Sequence, residues 1–245
     1  MNQIRIRALG LALLLAWLAT APAFAQDDYA LFQKEAGGAS LLYRGRKAFV
    51  YNLVYNGTYY WSTPQFHNGT VRYLEKDYAN VPLNVDAVRQ ELLVRLPSGL
   101  LEKIVDSQFT QEFSIAGSRF LNLRYLYGET APDGYWEVLY DGDSKFVRRV
   151  TKRLVTDLDN NKRELTGYDG PYRSNVSQTF IRDISYCYVK PDGTLVPVRR
   201  RRDLLKQFEP SFRREIRREI RHAEERGVLP FEQFCTVALH YVDSK

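Results

Sequence analysis

Four times between Tyr51 and Val198 an Asn-Gly or Asp-Gly pair stands between runs of alternating apolar residues: Asn56-Gly57, Asn68-Gly69, Asp141-Gly142 and Asp192-Gly193. These pairs tolerate positive φ at both central positions of a tight hairpin turn, and a flanking period of two lays one face of each strand on a core. A chain punctuated this way is committed to antiparallel strands. The segments between the turns, NVPLNVDAVRQELLVRLP, FTQEFSIAGSRFLNLRYLY and SNVSQTFIRDISYCYV, are rich in Val, Ile, Tyr and Phe, which suit a half-buried pleated surface. Residues 40–198 therefore predict a meander of about nine to twelve strands, wide enough that it must curl, close or be covered. Asn56, Asn68 and Asn175 also begin glycosylation sequons, but turn chemistry accounts for the first two without a glycan.

The period changes after Asp203. DLLKQF predicts one or two helical turns, and SFRREIRREIRHAEERG brings Phe212, Ile216, Ile220 and Ala223 within about 80° of helix arc. Gly227 is placed to stop that helix, and Pro230 opens another, PFEQFCTVALHYV, apolar around much of its circumference. The expected fold is α+β and mainly β: a long curved antiparallel sheet, meander or half-barrel, followed by two or three C-terminal helices packed on it.

The stretch from Arg199 to Gly227 holds eleven basic and six acidic residues. On a helical wheel with Ile216 at zero, Arg213, Arg217, Arg221, Arg214 and Arg218 occupy one flank from about +60° to +200°, and Glu219, Glu215 and His222 the other. Arginines at i, i+4 repel by a few tenths of a kcal/mol per pair. Such a column is either paired within the molecule or turned toward a partner with anionic groups. Nucleic acid is an unsuitable partner, because no aromatic residue interleaves with the arginines. A membrane-surface helix needs a broader apolar face than this seam.

The N-terminus opens with Arg5 and Arg7, continues with about a dozen apolar residues from Ala8 to Ala19, and reaches Ala23-Phe24-Ala25. That is the pattern of an export signal cleaved after Ala25, and the apolar run is short for a membrane span. The expectation is a signal peptide at 1–25, a single exported domain at 26–245, a periplasmic or secreted location and no transmembrane span after cleavage. Loss of Arg5 and Arg7 takes the net charge from +6 to +4, so the C-terminal basic stretch accounts for the basicity of the mature chain. The two cysteines, Cys187 and Cys235, are candidates for a disulfide in an oxidising compartment.

Enzyme and metal motifs are scarce. His67, His222 and His240 form no metal-type pair, and neither a nucleophile elbow nor a phosphate-binding glycine loop occurs. Asp157, Asp159 and Asn161 match the start of a calcium loop, but Lys162 stands where glycine is needed and Tyr168 where glutamate is needed. The turn pairs Asp141/Asp143 and Asp157/Asp159 are the only hydrolase signal, and short turns produce such pairs anyway. No cofactor is expected. The 17 Tyr, 13 Phe and 3 Trp are mostly strand and core residues, yet Tyr59, Tyr60 and Trp61 are consecutive. One of them must point away from the core unless both sheet faces are covered, which makes all three candidates for a binding surface.

Together, LYRGRKAFVYNLVYNGTYYW, GTVRYLEKDYANVPLNVDAVRQELLVR, GYWEVLYDGDSKFVRR and CYVKPDGTLVPVRRRRDLLKQFEPSFRREIRREI resemble exported proteins of unknown function from Bacteroidota. The resemblance implies an envelope setting in a diderm bacterium and carries no catalytic residues. The expected function is non-enzymatic binding of an envelope protein or anionic polymer through the arginine flank and Tyr59, Tyr60 and Trp61. The alternatives are a lipid carrier with a groove in the curved sheet, and a hydrolase using turn carboxylates.

Overall fold

The structure is a computed structural model that describes residues 37–52, 54–96, 102–156, 178–224 and 227–245. The proposed signal peptide, the calcium-like loop and Asn175 lie outside the described residues. The chain is α+β and mainly β, as its sequence pattern predicts. Ten strands form one open antiparallel sheet: β1 (His67–Tyr73), β2 (Lys76–Asp86), β3 (Glu91–Arg95), β4 (Glu102–Val105), β5 (Thr110–Ile115), β6 (Ser118–Asn122), β7 (Tyr135–Asp141), β8 (Lys145–Thr156), β9 (Gln178–Val189) and β10 (Leu195–Pro197). Their order across the sheet is β10-β9-β8-β7-β6-β5-β1-β2-β3-β4. Two meanders thus run outward in opposite directions from the central pair β1 and β5. Among the described residues the helices are α1 (Leu123–Tyr127), α2 (Arg201–Leu205), α3 (Pro210–Glu224) and α4 (Phe231–Asp243).

Two of the four expected turns form where the dipeptides stand. Asp141-Gly142 joins β7 to β8, with the Gly142 N–H donating to the Ser144 carbonyl at 2.9 Å. Gly193, at φ +82°, joins β9 to β10. Asn68-Gly69 instead lies inside β1, at an irregularity in its pairing with β2. Glycine is required there because a Cβ would stand 2.0 Å from the Ser114 carbonyl oxygen of β5. The β1–β2 turn is made by Leu74 and Glu75, both at positive φ without the help of glycine. Asn56-Gly57 closes no hairpin either: Asn56 bridges in parallel to Thr179 of β9.

Both sheet faces are covered. Cross-strand partners Phe113, Phe120, Glu137, Arg148 and Tyr186 share one face. Toward β1–β6 that face carries a core of Val71, Leu83, Leu92 and Phe113, closed by Leu42 and Tyr43 from the 3₁₀ turn Gly37–Arg44. Toward β8–β10 it carries Phe146, Tyr188 and Val198, closed by Ile216 and Ile220 of α3 and Phe234, Cys235, Ala238 and Leu239 of α4. On the opposite face Leu121, Trp136, Val147 and Cys187 pack with Leu123 and Ala131.

This two-sided burial decides the cysteine question. Cys187 points to one face of β9 and Cys235 packs from α4 on the other, so the sheet lies between them. Both are free and buried, and the candidate disulfide between them is not made.

Candidate functional site

Helix α3 is oriented by its own sequence. Ile216 and Ile220, one turn apart, are buried against the sheet. The acidic flank turns toward α4, where the Tyr241 hydroxyl donates to Glu215 at 3.0 Å. The other side of the seam meets α2, where Arg201 pairs with Glu224 at 3.0 Å. With three sides so assigned, the remaining arc, from about 100° to 200° on the wheel, faces solvent.

That arc carries Arg214, Arg217, Arg218 and Arg221, all exposed, and none makes an ion pair with a described residue. The fifth arginine of the predicted flank behaves differently. Arg213 is half-buried and donates to the carbonyls of Phe208 at 2.7 Å and Lys206 at 3.2 Å, tying the α2–α3 connection to the start of α3. It is a structural residue. Arg199, Arg200, Arg202 and Lys206, also exposed, extend the positive surface onto α2.

The contrast with the rest of the surface is physical. Arg46 and Arg89 share Glu91; Arg119 bridges Glu112 and Asp141; Arg148 bridges Glu137 and Glu232. On the sheet itself Arg95, Arg119, Arg148 and Arg153 each have a carboxylate within 4 Å, whereas Arg72, Arg149 and Arg182 have no ion pair with a described residue. On the solvent arc of α3 no ion pair forms among the described residues, and the i, i+4 pairs Arg214/Arg218 and Arg217/Arg221 repel, with Glu215 and Glu224 the nearest acids at i, i+3 from Arg218 and Arg221.

The aromatic trio is placed otherwise than a binding surface requires. Tyr60 is buried on one side with Ala48, Leu93 and Ile104, while Trp61 packs on the opposite core, its ring 5.1 Å from Phe120. Consecutive aromatics are thereby satisfied on two covered faces. Tyr59, half-buried, stacks on Tyr60 at 4.2 Å and its hydroxyl donates to the Tyr60 oxygen at 2.9 Å. Lys152 of β8 holds the same segment by donating to the Thr58 carbonyl at 2.8 Å and to the Tyr60 carbonyl.

Of the two turn pairs, Asp157/Asp159 lies outside the described residues, and at the other Asp141 is engaged by Lys145 and Arg119. Burial would raise the Asp141 carboxyl, but hydrogen bonds and charge from Lys145 and Arg119 outweigh it and hold the group below the usual range. A buried acid does occur at Asp86, 1% exposed, where burial raises its pKa. It accepts the N–H groups of Val88 and Arg89 at 2.8 and 2.9 Å and the Tyr51 hydroxyl at 3.2 Å, so it serves as the anchor of the β2–β3 turn. Among the described residues no cluster of His, Cys, Asp or Glu is arranged to hold a metal ion, and no helix is long and apolar enough to cross a membrane.

One feature escapes sequence reasoning altogether. A cleft of 980 Å³ opens between the β2–β3 turn, the segment 107–109, α1 and the loop before β7. Tyr135 lines both this cleft and an adjoining 360 Å³ hollow. Its hydroxyl oxygen is buried beside the hydroxyl of Thr110. Thr110 donates its own proton to the Asp106 carbonyl at 2.7 Å and keeps lone pairs that can accept from Tyr135. The lining comes from four separate stretches of sequence, which share no local pattern.

No protein-family model matches the chain, and neither a curated protein nor a solved structure does.

Proposed function

We propose that the chain is an exported envelope protein that works by binding, and that the solvent arc of α3 docks a partner presenting anionic groups, a protein or an envelope polymer. The observation that carries this reading is the exposure of Arg214, Arg217, Arg218 and Arg221 with no carboxylate partner among the described residues. Uncompensated like charges on a rigid helix cost stability in isolation and gain it when a polyanion neutralises them. The helix is rigidly held, since Ile216 and Ile220 fix its rotation and Arg213 and Glu224 fix its ends. Export supports the same reading, because it brings the surface to anionic envelope components and away from nucleic acid.

A lipid groove beneath the helices has no such support. The face of β8–β10 that would line it is filled by side chains of α3 and α4. The test of the docking surface is co-sedimentation of the purified protein with envelopes of the organism that makes it. Retention should fall as salt rises, and the variant Arg214→Glu/Arg217→Glu/Arg221→Glu should lose it with an unchanged melting temperature. Full retention by that variant would remove α3 from the account.

A further inference from the structure

The positive charge on the solvent arc of α3 continues onto its neighbour. Arg201 of α2 meets Glu224 near one end of α3 at 3.0 Å. Near the other end, Arg213 donates to the carbonyls of Phe208 at 2.7 Å and Lys206 at 3.2 Å. Residues 201–208 therefore run alongside α3 in the opposite direction. With Ile216 at zero, Arg213 and Glu224 stand at about 60° and 80° on the wheel, so this is the side that α2 occupies. Arg217 at about 100° and Arg221 at about 140° are the arc arginines nearest to it. On the α2 side Arg199, Arg200 and Lys206 are exposed, and none makes an ion pair with a described residue. Unpaired cations thus stand on both sides of the α2–α3 junction.

Their type and density narrow the anion. All but Lys206 are arginines, whose rigid guanidinium fork grips two oxygens of one oxyanion and does not titrate. Arg214, Arg217, Arg218 and Arg221 fall within about 11 Å of helix axis. Two rings of a uronate polymer bring two charges to these four arginines, and two phospholipid diesters bring no more. Two phosphomonoesters bring about three to four charges at pH 7, which relieves the i, i+4 repulsion more fully. A chain, unlike a flat lipid surface, can also lie along the junction and meet cations on either side.

We infer, on the footing of the docking reading of α3, that the α2–α3 junction takes up an envelope polysaccharide bearing phosphomonoesters, each phosphate held by guanidinium groups of neighbouring turns. Such an anion has a signature in pH. A phosphomonoester loses its second charge as it is protonated with a pKa of about 6. The titratable groups around the junction have the opposite effect. Asp203, Glu209, Glu215, Glu219, Glu224 and His222 can only make the surface more positive in acid, as can Glu232 and His240 of α4. A fall in affinity on acidification therefore reports the ligand and not the protein.

The experiment is biolayer interferometry of the mature protein, at about 0.15 M salt, against four probes. One is a phosphomannan core bearing 6-phosphomonoesters. The others are the same polymer stripped by phosphatase, polygalacturonate, and vesicles of phosphatidylglycerol mixed with phosphatidylcholine. The phosphomannan core should bind, and phosphatase treatment should abolish binding. Its affinity should fall about fivefold or more between pH 7.5 and pH 5. Arg214→Glu/Arg217→Glu/Arg221→Glu should abolish binding. Arg199→Glu/Lys206→Glu, which leaves α3 intact, should weaken it about tenfold or more. Both variants should keep the wild-type melting temperature. Absence of phosphomannan binding, equal or tighter binding of polygalacturonate or vesicles, an affinity unchanged by acid, or indifference to Arg199→Glu/Lys206→Glu would overturn the inference. If envelope retention still depends on α3, these outcomes leave it a docking surface for another anion. Indifference of both envelope retention and phosphomannan binding to the α3 variant would remove the docking reading as well.

Discussion

At the residue scale, burial dictates two titration behaviours. Asp86 has a carboxyl pKa raised above 3.8, with desolvation outweighing the N–H groups of Arg89 and Val88 and the hydroxyl of Tyr51. The folded state therefore holds its proton more tightly than the unfolded chain does. Above the folded value the buried charge costs stability, and this cost disappears as pH falls through the folded value toward 3.8. Asp86→Asn keeps an acceptor for the turn and removes the charge. It should melt above wild type at pH 7, with the gap closing as the pH falls to about 4. A gap that widens in acid, measured by calorimetry, would contradict this assignment. The thiols form the second case. Burial pushes Cys187 to about 11 and Cys235 to about 12. Both should be inert to a thiol reagent in the native protein at pH 8 and react together on unfolding. A count of fewer than two thiols after denaturation without reductant would show a disulfide and overturn the separation of the cysteines by the sheet.

At the scale of elements, the C-terminal helices are joined to the sheet by one ionic cluster as well as by apolar packing. Arg148 of β8 reaches Glu137 of β7 at 2.5 Å and both oxygens of Glu232 in α4, at 2.9 and 3.1 Å; Tyr186 donates to Glu232 at 2.8 Å. Removing Glu232 leaves Arg148 with one partner. Glu232→Ala should cost about 2 kcal/mol, below the 3–5 typical of full burial because Glu232 keeps a third of its exposure. Glu232→Gln should cost less, since it still accepts from Tyr186. Equal losses in urea titrations of the two variants would show that packing, and not the ion pair, sets the cost. The same elements show what a sequence reveals. The seam of α3 and the start of α4 after Pro230 were legible, because a period of 3.6 residues and the chemistry of Pro are local. The β1–β2 turn was not. Leu74 and Glu75 adopt positive φ against their own preference, held by β1 and β2 pairing on either side, while the Asn-Gly that advertised a turn sits inside a strand.

On the scale of the whole molecule, two covers on an open sheet leave one face of α3 exposed with four arginines that make no ion pair with a described residue. Half of the candidate site could be read in advance. Wheel geometry placed the arginines on one flank, but it could not tell that Arg213 is consumed by the carbonyls of Phe208 and Lys206 while Arg214, Arg217, Arg218 and Arg221 make no ion pair with a described residue. Nor could it show that Tyr60 and Trp61 are taken up by opposite cores, because that required knowing that both faces are covered. The cleft at Tyr135 was invisible for a related reason: Arg89, Phe109, Tyr125 and Tyr135 meet only through the pairing of distant strands. The central claim, that α3 is a located docking surface and not a contribution to bulk charge, is tested most directly by a matched pair of variants. One carries Arg214→Glu, Arg217→Glu and Arg221→Glu. The other carries Lys47→Glu, Arg72→Glu and Arg182→Glu, three exposed residues away from α3 that change the net charge equally. Affinity for isolated envelopes, measured at one salt concentration, should collapse in the first variant and persist in the second. Equal loss in both, or loss in neither, would contradict a docking surface on α3.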